Sequence, residues 1–472
     1  MIRLEKGIIL LYLLAITIIG LFFVFKNTPL TGLDERFHFF RAYQISQGEM
    51  LPKQINNEKG AWGGCVNDKA LAYVWPFFIS QDKNEPASRE AARRRAAELD
   101  GSKNDHNTCF NFAPSATYSP LLYFPSAIGI ASARLTGMGI DTQMYAGRLL
   151  NLVFFVGMIY IAVMMMPVMR IPTLMVLSFP TLINLASSYS PDPVTNLITV
   201  MFIACCLRMA ILKERILLIT FVMACLIGLL KMTNIAFLPF LALIPASLFS
   251  SKVKWLGYIS GSIIAGCAVA LAWNGHYSWV PSEFWHSGGD INAAKSRLIS
   301  DPLGTTLFIL KSIWIQTPDM FNKMFATFGG GPQLFTWTYG GPFCRSAIML
   351  AGLASVISVT KSRLDFGWFR LALLPVMSIG SIALIFLALW VGFSRLDLGI
   401  VAGVQGRYFI ISLMVMMLFI VLSLSSSSRI VNSSIMNAAT DGRLMLVTAF
   451  IYLALISYVS FLSIQTYLPL YV

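Results

Sequence analysis

Apolar runs about long enough to cross a bilayer recur from one end of this chain to the other, and that recurrence confines the fold more than any motif. A helix through the hydrocarbon core needs about 20 predominantly apolar residues. Runs of this kind are read at 8–25, 145–168, 172–189, 193–211, 216–231, 233–250, 255–273, 343–360, 367–391, 408–426 and 445–465. Hydrophobic residues make up 56% of the chain and charged ones 12%, whereas a soluble domain carries about 25% charged residues. The sequence therefore predicts an all-α polytopic membrane protein of about eleven transmembrane helices. A soluble enzyme, a disordered scaffold and a secreted disulfide scaffold are excluded.

Charge sets the expected threading. The net charge is +13, but the stretch from Lys26 to Tyr118 holds 12 basic and 11 acidic residues. The excess thus lies in the short loops of the apolar part. The turns that carry Arg170, Arg208, Lys213, Arg215, Lys252, Lys254, Lys361, Arg363, Arg370, Arg429 and Arg443 alternate along the chain with less basic ones. Positive-inside topology accounts for this bias, so nucleic acid is not an expected partner. The expected arrangement has the N-terminus in the cytoplasm, the C-terminus outside and an odd number of spans. The first span resembles a signal-peptide core without a small-residue cleavage site after it, and reads as a retained anchor. No Walker loop or dinucleotide fingerprint is present, which argues against ATP-driven transport from within this chain.

Five segments follow: an anchor at 1–25, a large outer loop at 26–118, transmembrane helices at 119–273, a second outer loop with an interfacial helix at 274–342, and C-terminal transmembrane helices at 343–472. Tyr118–Leu135, interrupted by Pro120 and Pro125, and the short run Thr305–Ile315 fit interfacial or re-entrant helices. Glu85–Leu99 reads as a surface helix. The first outer loop is too long to be a mere connector. Its two cysteines, Cys65 and Cys109, could form a disulfide in an oxidising compartment or stay as separate thiols.

The opening of that loop concentrates chemistry. Asp34, Glu35, His38 and Arg41 follow the first span almost at once, among Phe37, Phe39, Phe40 and Tyr43. On a helix starting near Asp34, His38 and Arg41 fall on the face of Asp34. The carboxylates could simply complement a helix dipole, or they could form part of a site. Arg148 and Arg407 stand at span ends, where an unpaired charge is costly. Either could snorkel to the interface or bind an anion, and an arginine fork suits phosphate oxygens. Asp192, between Pro191 and Pro193, is a turn residue or a second pocket carboxylate that pairs with Arg148 or Arg407, and Lys231 could pair similarly. His276–Asp290 carries His276, Glu283, His286 and Asp290 beside two tryptophans, without the spacing of a zinc site.

Four stretches in order carry a resemblance. They are Asp34-Glu35 with His38-Phe39, Arg41-Ala42-Tyr43 and Ile45; Tyr118-Ser119-Pro120 through Gly129 with Gly147-Arg148-Leu149-Leu150-Asn151; Ser188-Tyr189-Ser190-Pro191-Asp192; and Gly403-Val404-Gln405-Gly406-Arg407-Tyr408-Phe409. Together they resemble bacterial multi-spanning proteins related to the GT-C glycosyltransferases. Phage- and bacterium-encoded enzymes that glucosylate O-antigen are similar in size and layout. The resemblance implies a GT-C-like bundle in the bacterial inner membrane that takes a sugar, with glucose expected, from undecaprenyl phosphate. It passes the sugar, usually with inversion, to O-antigen or another surface glycan on the periplasmic face. Asp34 or Glu35 would be the base or acceptor-orienting group, with Asp34 preferred and Glu35 as a supporting or metal-binding carboxylate. His38, Arg41, Arg148, Asp192, Gln405, Arg407 and Tyr408 are the candidate substrate-binding residues. Expected partners are the polyprenyl-phosphate-linked donor, a glycan acceptor and membrane lipid, and the need for a divalent metal is left open.

Two other functions compete. A flippase or transporter of lipid-linked saccharides should show internal repeats and charged or broken helices at mid-membrane. An O-antigen polymerase or ligase uses a similar carrier but tends to place its main outer loop late in the chain.

Overall fold

The computed structural model describes residues 2–55, 61–83, 92–94, 107–277, 290–328, 337–338, 341–359, 364, 366–427 and 442–467. Seven helices among them are long and apolar enough to cross a membrane: Glu5–Lys26, Ile140–Met165, Asp192–Leu212, Lys252–Gly275, Trp368–Gly392, Gly406–Ser426 and Arg443–Gln465. The pair Ile291–Ser300 and Pro302–Phe325, bent by 114°, makes an eighth if it counts as one broken span. The protein is a multi-pass helical membrane protein.

Among the described residues the eleven expected spans are not all full length, and the differences have local causes. The run 172–189 is cut at Phe179-Pro180 into Arg170–Leu177 and Pro180–Ala186, where Pro180, which has no N–H to continue the first helix, takes the first position of the second. The run 216–231 yields only the twelve-residue helix Leu217–Gly228. Met232–Leu243, with Pro239 inside it, winds as a 3-10 helix. Pro342–Ile357 has 16 residues, about 24 Å at 1.5 Å per residue. Thr305–Ile315 lies within the 24-residue helix Pro302–Phe325. Tyr118–Leu135 forms a 3-10 turn, Pro120–Tyr123, and the short helix Phe124–Leu135, which packs back along Ile140–Met165 as a hairpin. Of Glu85–Leu99, only Ala92–Arg94 lies within the described residues, as helix.

The long loop after the first helix folds against the bundle. Its helix Glu35–Ser46 packs on Phe124–Leu135, and a three-stranded antiparallel sheet (Lys53–Gln54, Trp62–Asn67, Asn107–Asn111) leans on the same helix. Cys65 and Cys109 face each other across the ladder and are joined by a disulfide. Gln44 Nε2 ties helix to sheet by donating to the carbonyls of Leu51 and Gly63, both at 3.2 Å.

Two ion pairs mark opposite ends of the bundle. Glu5 and Arg170 lie 3.7 Å apart beside the start of the first helix. Glu35 and Arg148 pair beyond its far end. The candidate site lies at the second end.

Candidate functional site

Adjacent carboxylates part company at the turn into Glu35–Ser46. Asp34 has φ 57°, in the left-handed region that aspartate tolerates better than most residues, and this turns its side chain away from that of Glu35. Glu35 is fully buried and grips Arg148 in a bidentate pair, with Nε donating to Oε1 at 2.8 Å and Nη2 to Oε2 at 2.6 Å. The other Arg148 donors reach the carbonyls of Val24 (3.2 Å), Asn27 (2.8 Å) and Thr28 (3.0 Å). Gly32 N donates to Glu35 Oε2 at 3.0 Å, and a Cβ added at Gly32 would lie 2.9 Å from Ser188 Cβ. The Glu35–Arg148 pair therefore fastens the end of the first helix to Ile140–Met165. It is a buried structural clamp, separate from the groups around Asp34.

Asp34 turns to a different set. Its Oδ2 accepts from Arg407 Nη2 at 2.6 Å, and Arg407 Nε lies 3.0 Å from Asp192 Oδ2. Lys231 closes the chain of charges by donating to Asp192 Oδ1. Lys231 also stands over Tyr408 (4.8 Å to the ring centroid) and Tyr118 (5.8 Å). Two acids and two cations from four separate segments thus balance. Half of the Asp34 side chain is exposed, against 4% for Arg407 and 9% for Asp192, so Asp34 is the more accessible carboxylate. Gly406 lets this arrangement form: a Cβ there would lie 2.5 Å from the Met320 carbonyl oxygen. The short turn Gly406–Phe409 can therefore press against Pro302–Phe325 and deliver Arg407 inward.

His38 is buried one turn beyond Asp34, its Nδ1 2.7 Å from the Tyr123 hydroxyl. Burial pushes its pKa down to about 4 despite Asp34 and Asp192 nearby, so the ring is neutral at neutral pH. Burial alone would raise the Asp34 pKa, but Arg407, with His38, more than offsets it and holds the carboxyl below its ordinary range. Asp34 is therefore ionised at neutral pH. Burial raises the Tyr118 and Tyr123 hydroxyls, which stay protonated.

A cavity of about 250 Å³ opens on the cluster. Lys231, Asp192, Arg407, Asn196, Asn234 and Asn274 line one part of it, while Ile385, Ala388 and Leu389 of Trp368–Gly392 form an apolar wall. A second cavity of about 200 Å³ is lined by Leu33, Thr181, Lys323, Thr327, Gln405 and Arg407, with the backbone of Gly403–Gly406.

The structure thus brings Asp34, His38, Asp192, Arg407 and Tyr408 together and sets Gln405 in the adjoining cavity. It does not bring in Arg41, which is buried and donates to Gln44 Oε1 (2.6 Å) and to the carbonyls of Met50 (2.9 Å) and Tyr118 (3.2 Å). Glu35 and Arg148 form the clamp described above. Among the described residues no three His, Cys, Asp or Glu side chains converge as a metal site. Asp290 caps Ile291–Ser300 by accepting from Asn292 N and Ala293 N, while Glu283 and His286 lie outside the described residues. Lys231 is more central than its isolated place in the sequence suggests. Its signal is a lone charge between apolar runs, which needs a partner. The three asparagines carry no such signal, because nothing in their spacing relates them.

No curated protein and no solved structure matches the chain. A family model described as "Predicted membrane protein (DUF2142)" matches residues 17–417. The chain therefore belongs to the DUF2142 family of predicted membrane proteins.

Proposed function

We propose that this protein is an integral-membrane glycosyltransferase that moves a sugar from a polyprenyl-phosphate carrier to a glycan acceptor at the outer face of the bacterial inner membrane. Glucose is the sugar and O-antigen the acceptor suggested by the sequence resemblance. The observation that carries the reading is an accessible, ionised Asp34 held by Arg407 beside a cavity that is polar and cationic on one side and apolar on the other. Such a cavity suits a phosphosugar head whose hydrocarbon tail stays in lipid.

In this reading Asp34 accepts the proton of the acceptor hydroxyl as that oxygen attacks the anomeric carbon. The bond from the anomeric carbon to the phosphate oxygen breaks, and the electron pair leaves with the phosphate. Arg407 and Lys231 stabilise the charge that develops there. Full-length protein in proteoliposomes, given polyprenyl-phosphate-[¹⁴C]glucose and a lipid-linked glycan, should form a labelled glycosidic product. Absence of product with glucose and with other hexose donors would reject the reading.

One observation favours flipping of a lipid-linked saccharide instead. Arg170–Leu177 and Pro180–Ala186 form a discontinuous, buried helix pair, a device that transporters use at mid-membrane. Saccharide crossing sealed vesicles without a new glycosidic bond would support that alternative.

A further inference from the structure

A third cavity, of about 500 Å³, shares no lining residue with the two at the Asp34 cluster. Its size lies within the usual range for a small-ligand site, about 300–1,000 Å³. Three parts of the chain close it: Tyr43 of Glu35–Ser46, the start of the helix Asp68–Lys83, and the turn that joins Phe124–Leu135 to Ile140–Met165. Among the described residues, the cations Lys69, Arg93 and Arg134 line it against one acid, Asp141. That acid is already engaged. It accepts from the Tyr73 hydroxyl and from Arg93, with Nη2 at 2.5 Å and Nε at 3.1 Å.

Arg134 is not neutralised in this way. It is half-buried, lies 4.6 Å from the centroid of the Tyr43 ring, and donates to the Ser46 carbonyl (3.3 Å) and hydroxyl (2.8 Å). Among the described residues it has no carboxylate partner. The Ser46 bonds occupy two of its five N–H groups. The cavity also stands at a definite height. Arg148 meets the carbonyls of Val24, Asn27 and Thr28 where the first span ends, and Asp141 lies about 10 Å further along the same helix, at 1.5 Å per residue. Headgroups occupy about 5–8 Å outside the hydrocarbon core. In the turn that forms one wall, Leu135 is 88% exposed and Met138 49%, which suits the boundary between headgroups and acyl chains.

We infer that this cavity binds the headgroup of an anionic phospholipid from the leaflet at that end of the bundle, its phosphodiester held by Arg134 and Lys69. An arginine fork matches phosphate oxygens, and the Tyr43 ring supports its plane. A zwitterionic headgroup would bring its own cation against three others and is disfavoured. The lipid has a mechanical consequence. Arg134 already holds Ser46, the last residue of Glu35–Ser46, so an occupied cavity fastens the helix that starts beside Asp34 to the hairpin next to it. The inference does not depend on the sugar-transfer reading.

Melting of the detergent-purified full chain tests this, with short-chain phosphatidylglycerol, short-chain phosphatidylcholine and glycerol 3-phosphate as probes. Phosphatidylglycerol should raise the melting temperature by at least about 3 °C, because a ligand of the folded state stabilises it. The other two, at the same concentration, should raise it by less than about 1 °C. Lys69→Gln and Arg134→Gln should each need at least about fivefold more phosphatidylglycerol for half of the rise, the effect of one basic side chain near an anionic lipid. Lys254→Gln, at the opposite end of the bundle, should need the wild-type amount. Should Arg134→Gln fail to fold without its Ser46 bonds, Lys69→Gln carries the comparison. No rise, or an equal rise with phosphatidylcholine, would overturn the proposal. So would equal requirements in all the variants, since lipid would then respond only to the net charge of +13. A matching rise with glycerol 3-phosphate would give the cavity to a soluble phosphate ester and overturn the lipid.

Discussion

Two neighbouring carboxylates have opposite fates here, and the contrast can be measured. Glu35 is sealed against Arg148 with no exposure on either side. Glu35→Gln therefore leaves a buried guanidinium without its counter-charge, at a cost of about 3–5 kcal/mol. It should lower the melting temperature of the detergent-purified protein and its yield. Asp34→Asn keeps shape at an exposed rim and leaves Arg407 beside Asp192, so it should lower the melting temperature less than Glu35→Gln while sugar transfer falls by about 10²–10⁴-fold. Equal melting losses in the two variants would contradict this assignment. His38 adds a pH signature. Its folded pKa of about 4 lies below its unfolded value of about 6.5, so between these values the unfolded chain binds the extra proton. Stability from this group is fully present above about 6.5 and declines as the pH falls towards about 4. His38→Gln should flatten that part of the melting-temperature profile. The sequence grouped Asp34 with Glu35 because they adjoin, and no residue type there announces the left-handed turn that separates them. Asp192 and Arg407 were legible as charges at span ends that need partners. Which charge pairs with which depends on packing between segments far apart in the chain.

At the scale of elements, apolar composition located the hydrophobic segments well, but it could not tell a spanning helix from a broken or shortened one. Phe179-Pro180 interrupts a run whose composition reads as one span, and Met232–Leu243 adopts 3-10 winding despite its apolar character. The two halves of the broken run, Arg170–Leu177 and Pro180–Ala186, are buried in the bundle, where packing rather than helix length holds them. The cysteines posed a similar ambiguity: residues 44 apart in sequence become partners only because Trp62–Asn67 and Asn107–Asn111 pair in one register. Closing a loop of that size stabilises a fold by about 4 kcal/mol in the chain-entropy model. Reduction, or Cys65→Ser, should therefore loosen the small sheet and the Gln44 hydrogen bonds to its edge. Limited proteolysis should then cut the first outer loop faster, while the bundle helices stay protected. Unchanged cleavage would mean that helix packing alone holds the sheet.

For the whole molecule, the arrangement of ends makes the strongest claim. Lys252–Tyr277 runs the length of the bundle, and near its far end Trp273 Nε1 donates to the Thr117 carbonyl at 3.0 Å, on the side of the ion cluster. Its first residues therefore sit at the opposite end. Thr136 is exposed in the turn between Phe124–Leu135 and Ile140–Met165, close to the cluster end, and Ser251 is exposed just before Lys252. Of the basic turns singled out in the sequence, Lys252 and Lys254 lie at the Ser251 end, where Tyr258 donates to the Leu217 carbonyl just past Arg215, and Arg208 reaches the Met165 carbonyl at the end of Ile140–Met165 away from Arg148. In the proposed orientation, positive-inside bias puts that end in the cytoplasm and the Asp34 cluster outside. In a variant lacking the five free cysteines, Thr136→Cys should react with a membrane-impermeant maleimide on intact spheroplasts. Ser251→Cys should react only after the membrane is opened. The reverse pattern would place Asp34 in the cytoplasm and remove the periplasmic acceptor from the proposal. Labelling of both positions from one side would be incompatible with a bundle whose two ends are separated by its long apolar helices.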